Sequence, residues 1–165
     1  MVVCEAQVPF VHGGAEELVR ELVRQLCRRG HEATLVSLPF NAGARDTLIS
    51  QASAWRLLDL NESHGRTIDL VIASKFPTYY VRHPNKVTWL VHQHRAAYEL
   101  FGTSFTNLTE SDIDTGVRSK LIELDTEMLA ECKKIFSIAK NVSKRLDRFN
   151  GLTAKTQIGR ASCRE

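Results

Sequence analysis

The stretch MVVCEAQVPFVHGGAEELVRELVRQLCRRGHEATLVSLPF, residues 1–40, decides the fold. Its opening MVVCEA is a short apolar run that reads as a strand over 1–6. QVPFVHGG follows, and Pro9 with the Gly13–Gly14 pair makes it a loop. Leu18, Val19, Leu22, Val23 and Leu26 then recur at helical spacing, with Glu16 and Glu17 in the first turn, where the helix dipole favours carboxylates. Arg28 and Arg29 occupy the last turn, and Gly30 is the expected stop. ATLVSLPF, 33–40, is the second strand.

Working outward, the alternation continues. A helix is expected around 46–60, with Leu48, Ala52, Trp55 and Leu58 on one face. DLVIA (69–73) and KVTWLV (86–91) read as buried strands, and a polar loop spans 102–114. A long helix follows, with Val117, Leu121, Leu124, Met128 and Cys132 as its apolar stripe. A further strand lies at 134–138. Val142, Leu146 and Phe149 mark a short helix stopped by Gly151. No internal repeat or low-complexity segment interrupts the pattern. Apolar strands alternating with amphipathic helices predict an α/β fold, a doubly wound parallel sheet of Rossmann-like type.

Composition narrows the function. The 165 residues fit one domain, and 43% hydrophobic with 25% charged residues excludes a disordered or fibrous chain. A net charge of +3 is too small and too dispersed to predict nucleic acid as a partner. The sequence has no apolar run near the ~18 residues of a membrane span and no hydrophobic signal stretch, so a cytoplasmic location is expected. Cys4, Cys27 and Cys132 have no paired spacing and read as reduced thiols. Residues 158–165, IGRASCRE, lack hydrophobic period, cap and turn logic. They read as the translated end of a sequencing-adapter oligonucleotide, leaving 1–157 as the natural part, cut off mid-gene.

In open parallel sheets ligands bind beyond the carboxyl ends of the strands. The loops to inspect are therefore 7–14, 74–80, 92–98 and 139–141. Gly13 and Gly14 let a ligand approach the backbone, and the helix that follows offers N–H groups and positive partial charge, which suit a phosphate or diphosphate. The spacing is neither a dinucleotide nor a P-loop fingerprint. His12 beside the glycines is a candidate lining residue, with a solvated loop residue as the alternative. His31 reads as a structural cap, and His64 and His83 fall in polar loops. His92 and His94 follow the strand KVTWLV directly, and His92 is its first polar neighbour. A metal held by this pair is not expected, because no carboxylate clusters beside it. Arg95 and Tyr98 are candidates to orient an acceptor hydroxyl or phosphate, with a surface ion pair as the alternative for the arginine. Arg20, Arg24 and Arg28 form a stripe that reads as a solvated face in which Glu16 pairs with Arg20. Weak contact with an anionic membrane surface is the other reading.

The order of these motifs resembles the opening of the family-4 glycosyltransferases, retaining enzymes of the GT-B fold. Gly13, Gly14, Ala15 and Glu16 match that family's GGAE, and Arg29, Gly30, His31 and Glu32 match its RGHE. Farther on, Asn141, Val142, Arg145 and Gly151 in SIAKNVSKRLDRFNGL match the segment that ends its first domain. The resemblance covers nearly all of 1–153. It implies the N-terminal, acceptor-side half of a GT-B enzyme, moving a sugar from a UDP- or GDP-linked donor to a sugar or lipid-linked acceptor with retention. No cofactor beyond that donor is implied. A histidine at the position of His92 lies near the family's reaction centre. Gly13 and Gly14 would meet the donor diphosphate, and His12, His94, Arg95, Tyr98 and Asn141 the acceptor. The nucleotide-holding half, with two glutamates seven residues apart, has no counterpart in 1–157, so this chain alone is expected to be catalytically silent. One departure stands at Ala139, where family members often carry serine. The alternatives are another GT-B enzyme, such as a nucleotide-sugar 2-epimerase, and a flavodoxin-like or receiver-like binding module.

Overall fold

A computed structural model describes residues 1–11, 13–43, 45–106 and 108–157. His12 and the 158–165 tail lie outside the described residues. In chain order the elements are β1 (Val2–Gln7), α1 (Gly14–Arg28), β2 (Thr34–Pro39), α2 (Leu48–Leu57), β3 (Glu62–Ser63), β4 (Arg66–Thr67), β5 (Val71–Ala73), β6 (Lys86–Leu90), α3 (Asp112–Ala130), β7 (Lys134–Ser137), α4 (Lys140–Asn150) and β8 (Lys155–Thr156). Six strands form one wholly parallel sheet in the order β2-β1-β5-β6-β7-β8. Val2 of β1 sits opposite Thr34 on one side and Val71 on the other. The fold is α/β and Rossmann-like, and the strand order reverses direction between β1 and β5.

Alternating side chains give the sheet two unlike faces. One carries Val2, Cys4 and Ala6 of β1 and packs into the main core with Trp55 of α2, Leu121 of α3 and Leu146 of α4. The other carries Ile72, Val87, Trp89 and Phe136, half-buried beside Leu22 of α1. The apolar stripe of α1 is correspondingly loose. Val19 is buried, whereas Leu18, Leu22, Val23 and Leu26 are only partly covered.

Both glycine stops act as the sequence predicts. Gly30 has φ +82° beyond α1, and Gly30 and His31 donate backbone N–H groups to Cys27 and Leu26 carbonyls at 3.0 and 3.1 Å. This paired closure places His31 as a cap through its backbone. Gly151 has φ +63°, and its N–H closes on the Asp147 carbonyl at 2.9 Å. At the other end of α4 the N-cap is Ala139, which makes no side-chain cap bond. A serine hydroxyl at this position would reach a first-turn N–H, a cap that the alanine does not supply.

Four local expectations change. The helix expected over 46–60 is a short 3-10 turn, Arg45–Thr47, followed by α2, because Leu58 turns extended and Asp59 bridges to Arg82. The loop holding His64 is a hairpin, β3–β4, whose His64–Gly65 turn has both φ angles positive, at 51° and 76°. Those angles are what a two-residue hairpin turn requires. β8 is a sixth strand, too short and polar to show periodicity. α3 starts at Asp112, earlier than its apolar stripe, because Ser111 caps it with an oxygen 3.3 Å from the Asp114 N–H.

Candidate functional site

The switch in strand order falls between β1 and β5, and in open parallel sheets ligands bind beyond the carboxyl ends of the strands at such a point. The loop after β1 leads to Gly13, which caps α1 in an extended conformation (φ −106°, ψ 175°). Its N–H donates to Oε2 of Glu16 at 3.0 Å, and the other Glu16 oxygen forms an ion pair with the Lys75 ammonium. Both side chains are almost fully buried, at 4% and 6% exposure. Burial opposes the charge on Glu16, but the Lys75 ammonium and backbone N–H groups outweigh it and hold the carboxyl below the usual glutamate range. The expected Glu16–Arg20 pair is therefore corrected. Glu16 turns inward to Lys75, while Arg24 takes Glu21 at 2.6 Å and lies 3.6 Å from Glu17.

The two glycines differ in what they do. A Cβ on Gly13 would lie 2.9 Å from Glu16 Oε2, so any larger residue there would have to shift the carboxylate that Lys75 holds. A Cβ on Gly14 would meet nothing within 4 Å. Gly14 is the open position of the pair.

The loop after β5 is packed rather than open. Residues 73–81 are buried throughout. Ser74 Oγ donates to the Cys4 carbonyl at 2.8 Å, tying the loop to β1. Phe76 N–H donates to the His92 carbonyl at 3.1 Å and Val91 N–H to the Ser74 carbonyl at 2.9 Å, tying it to the loop after β6. Glu16, Lys75 and the 74–76 backbone thus link the glycine turn to His92.

His92 is half-buried, with Nδ1 2.8 Å from the Gln93 carbonyl. A carbonyl only accepts, so Nδ1 carries the proton and Nε2 keeps its lone pair. No hydrogen bond among the described residues engages that Nε2. Burial lowers the His92 pKa against the opposing Gln93 bond, and the nearby charges of Lys75, Arg145 and Arg95 lower it further. The imidazole is neutral at neutral pH, a hydrogen-bond acceptor set among cationic groups.

The remaining candidates separate. His94 is buried, with its ring 5.4 Å from that of Phe76 and 6.4 Å from that of Phe40. Its Nε2 has no hydrogen-bond partner among the described residues, and burial, with His92 nearby, pushes its pKa down to about 4. It belongs to the aromatic core, which corrects its place among acceptor contacts. Tyr98 is corrected likewise. It is 2% exposed, and its hydroxyl donates to Asp125 Oδ2 at 2.7 Å. Arg95 is exposed and makes the surface ion pair, with Glu99 at 2.7 Å. Asn141 is exposed in the first turn of α4. His83 is structural, accepting from the Asn85 N–H and donating to the Ile68 carbonyl.

Comparison with protein-family models, with curated proteins and with solved structures finds no match. The site is read from its own chemistry.

Three residues join it that the sequence did not single out for this role: Lys75, Gln93 and the Glu16 carboxylate as an ion-pair partner. Lys75 left one signal, a charge two residues beyond the buried DLVIA strand. Gln93 left none beyond its place between two histidines. Two surface grooves lie elsewhere. One opens between Cys132–Phe136 and Leu152–Lys155, and the other on the half-buried sheet face around Trp89. Neither contains Gly13 or His92. Among the described residues no helix is long and apolar enough to cross a membrane.

Proposed function

We propose that this chain is the acceptor-side half of a retaining GT-B glycosyltransferase, serving a UDP- or GDP-linked donor and a sugar or lipid-linked acceptor. The observation that carries the reading is His92. Its imidazole stands just beyond a central parallel strand, with the Nδ1 proton committed to Gln93 and Nε2 left to accept from a sugar hydroxyl. The GGAE and RGHE motifs add support in their order and separation. Gly14 is the glycine a diphosphate would approach, since Gly13 gives its N–H to Glu16. Arg95, in the turn after β6, and Asn141, in the first turn of α4, are both exposed and are left as acceptor contacts. Held close, such groups act by positioning an acceptor hydroxyl against the donor carbon.

Reading the gene past the Gln157 codon tests this. A second α/β half carrying two glutamates seven residues apart upholds the reading, and a stop codon there overturns it. In the enzyme so completed, His92→Ala lowers turnover by about a hundredfold. Steady donor turnover by this chain alone would refute its proposed silence.

The strand order favours a second reading. Counted along the chain, the six sheet strands run 2-1-3-4-5-6, which extends the 2-1-3-4-5 order of flavodoxin-like modules. The loop after β1 lacks the Ser/Thr-rich phosphate cradle of a flavin site. Visible flavin absorbance in the purified protein would select this second reading.

A further inference from the structure

Behind His92 runs a line of buried polar side chains. Gln93 is fully buried between the two histidines. Its Nε2 donates to Asn150 Oδ1 at 2.9 Å, and its Oε1 accepts from Arg145 Nε at 2.9 Å. Asn150, the last residue of α4, gives its own N–H groups to Thr126 Oγ1 at 2.7 Å, and to the Ile122 carbonyl and Tyr98 Oη at 3.3 Å. Tyr98 Oη donates to one oxygen of Asp125 at 2.7 Å, and Tyr80 Oη donates to the other at 2.8 Å. Asp125 is fully buried in α3, and no ion pair among the described residues reaches it.

Such a network is costly to bury, and well-packed apolar residues would serve stability as well. What it supplies is fixed geometry. The Gln93 side chain is held at both its amide nitrogen and its amide oxygen, so the residue cannot turn. The carbonyl of that residue is the acceptor for His92 Nδ1. Tyr80 brings the loop after β5 into the same clamp, so α3 holds the loops after β5 and β6 in register.

We propose that Asn150 and Asp125 are positioning residues for the His92 imidazole, acting through Gln93 to hold it in the Nδ1–H form with Nε2 free to accept. The proposal rests on the reading of His92 as the group at the reaction centre.

Nitrogen-resolved histidine NMR of the full chain, without ligand, tests it by reporting the tautomer and pKa of His92. In Asn150→Ala, His92 loses its Nδ1–H preference and titrates at lower pH, farther from the ordinary histidine range, because the Gln93 bond that raises its pKa is loosened. Tyr98→Phe removes one hydroxyl from the line and produces the same changes to a smaller extent. Val2→Ala, a core truncation at the amino end of β1, lowers the melting temperature and leaves His92 unmoved, which separates positioning from loss of stability. His83 is the internal reference in every spectrum. An unchanged His92 tautomer and pKa in folded Asn150→Ala overturns the proposal. Where Asn150→Ala does not fold, Tyr98→Phe decides by the same criterion. These spectra need no donor or acceptor. A moved His92 in the variants, alongside a stop codon after Gln157, sinks the transferase reading and leaves the positioning role standing.

Discussion

Glu16 and Asp125 are both buried carboxylates, one in α1 and one in α3, and they solve burial in opposite ways. Glu16 has a cation, Lys75, and the backbone N–H groups of Gly13 and of Glu16 itself, so it stays ionised below the usual glutamate range. Asp125 has, among the described residues, tyrosine hydroxyls as its partners, and burial outweighs them, pushing its pKa up to about 7. Burial alone therefore does not set the charge of an acidic side chain. The partner does.

Removing the partner breaks the comparison most sharply. Lys75→Met leaves the Glu16 charge buried and uncompensated, and is expected to cost ~3–5 kcal/mol in denaturant unfolding. Lys75→Met with Glu16→Gln recovers most of that loss. If the double variant is no more stable than the single one, the ion pair is not what holds the α1 turn to β5.

The second test uses pH, and the two carboxylates have opposite signs. Asp125 has its pKa raised above the unfolded value of 3.8 to about 7. The folded chain therefore keeps a proton that the unfolded chain has lost. Its contribution is fully present below about pH 4 and is lost as pH rises through about 7, with a slope of up to ~1.4 kcal/mol per pH unit. Glu16 is depressed, so its contribution is present above the ordinary glutamate value and is lost as pH falls below it. Unfolding free energies measured across this range should show Asp125→Asn flattening the neutral side and Glu16→Gln flattening the acid side. A single-sided pH profile unchanged by Asp125→Asn would remove the contrast.

The smallest effects sharpen the Glu16 side. Gly13→Ala forces a methyl against the Glu16 carboxylate and should cost ~1–3 kcal/mol, as overpacking does. Gly14→Ala meets open space at the first position of α1 and should leave stability unchanged or raise it by up to about 1 kcal/mol. Equal losses at the two positions would show that the turn needs glycine for its backbone rather than for the carboxylate.

Much of the frame was legible because it is local. Five of the sheet strands, the helices and both glycine stops follow from periodicity and from backbone angles that neighbouring residues dictate. The hairpin at His64–Gly65 and the last strand were not legible, since each strand is two residues long and carries no period. The site was legible in outline only. His92 showed itself as the first polar residue after a buried strand, and the glycine pair as a turn. His94 and Tyr98 looked equally polar in sequence, yet one packs among aromatic rings and the other against Asp125.

By itself, then, the sequence determined an α/β chain with a parallel sheet and a histidine and a glycine turn at its carboxyl edge, because alternation and turn chemistry act over a few residues. Tertiary structure alone decided which polar groups meet. Glu16 faces a lysine 59 positions away rather than an arginine one turn along its own helix. A buried charge takes the partner that desolvation makes most valuable, and sequence spacing holds no record of who stands across the fold.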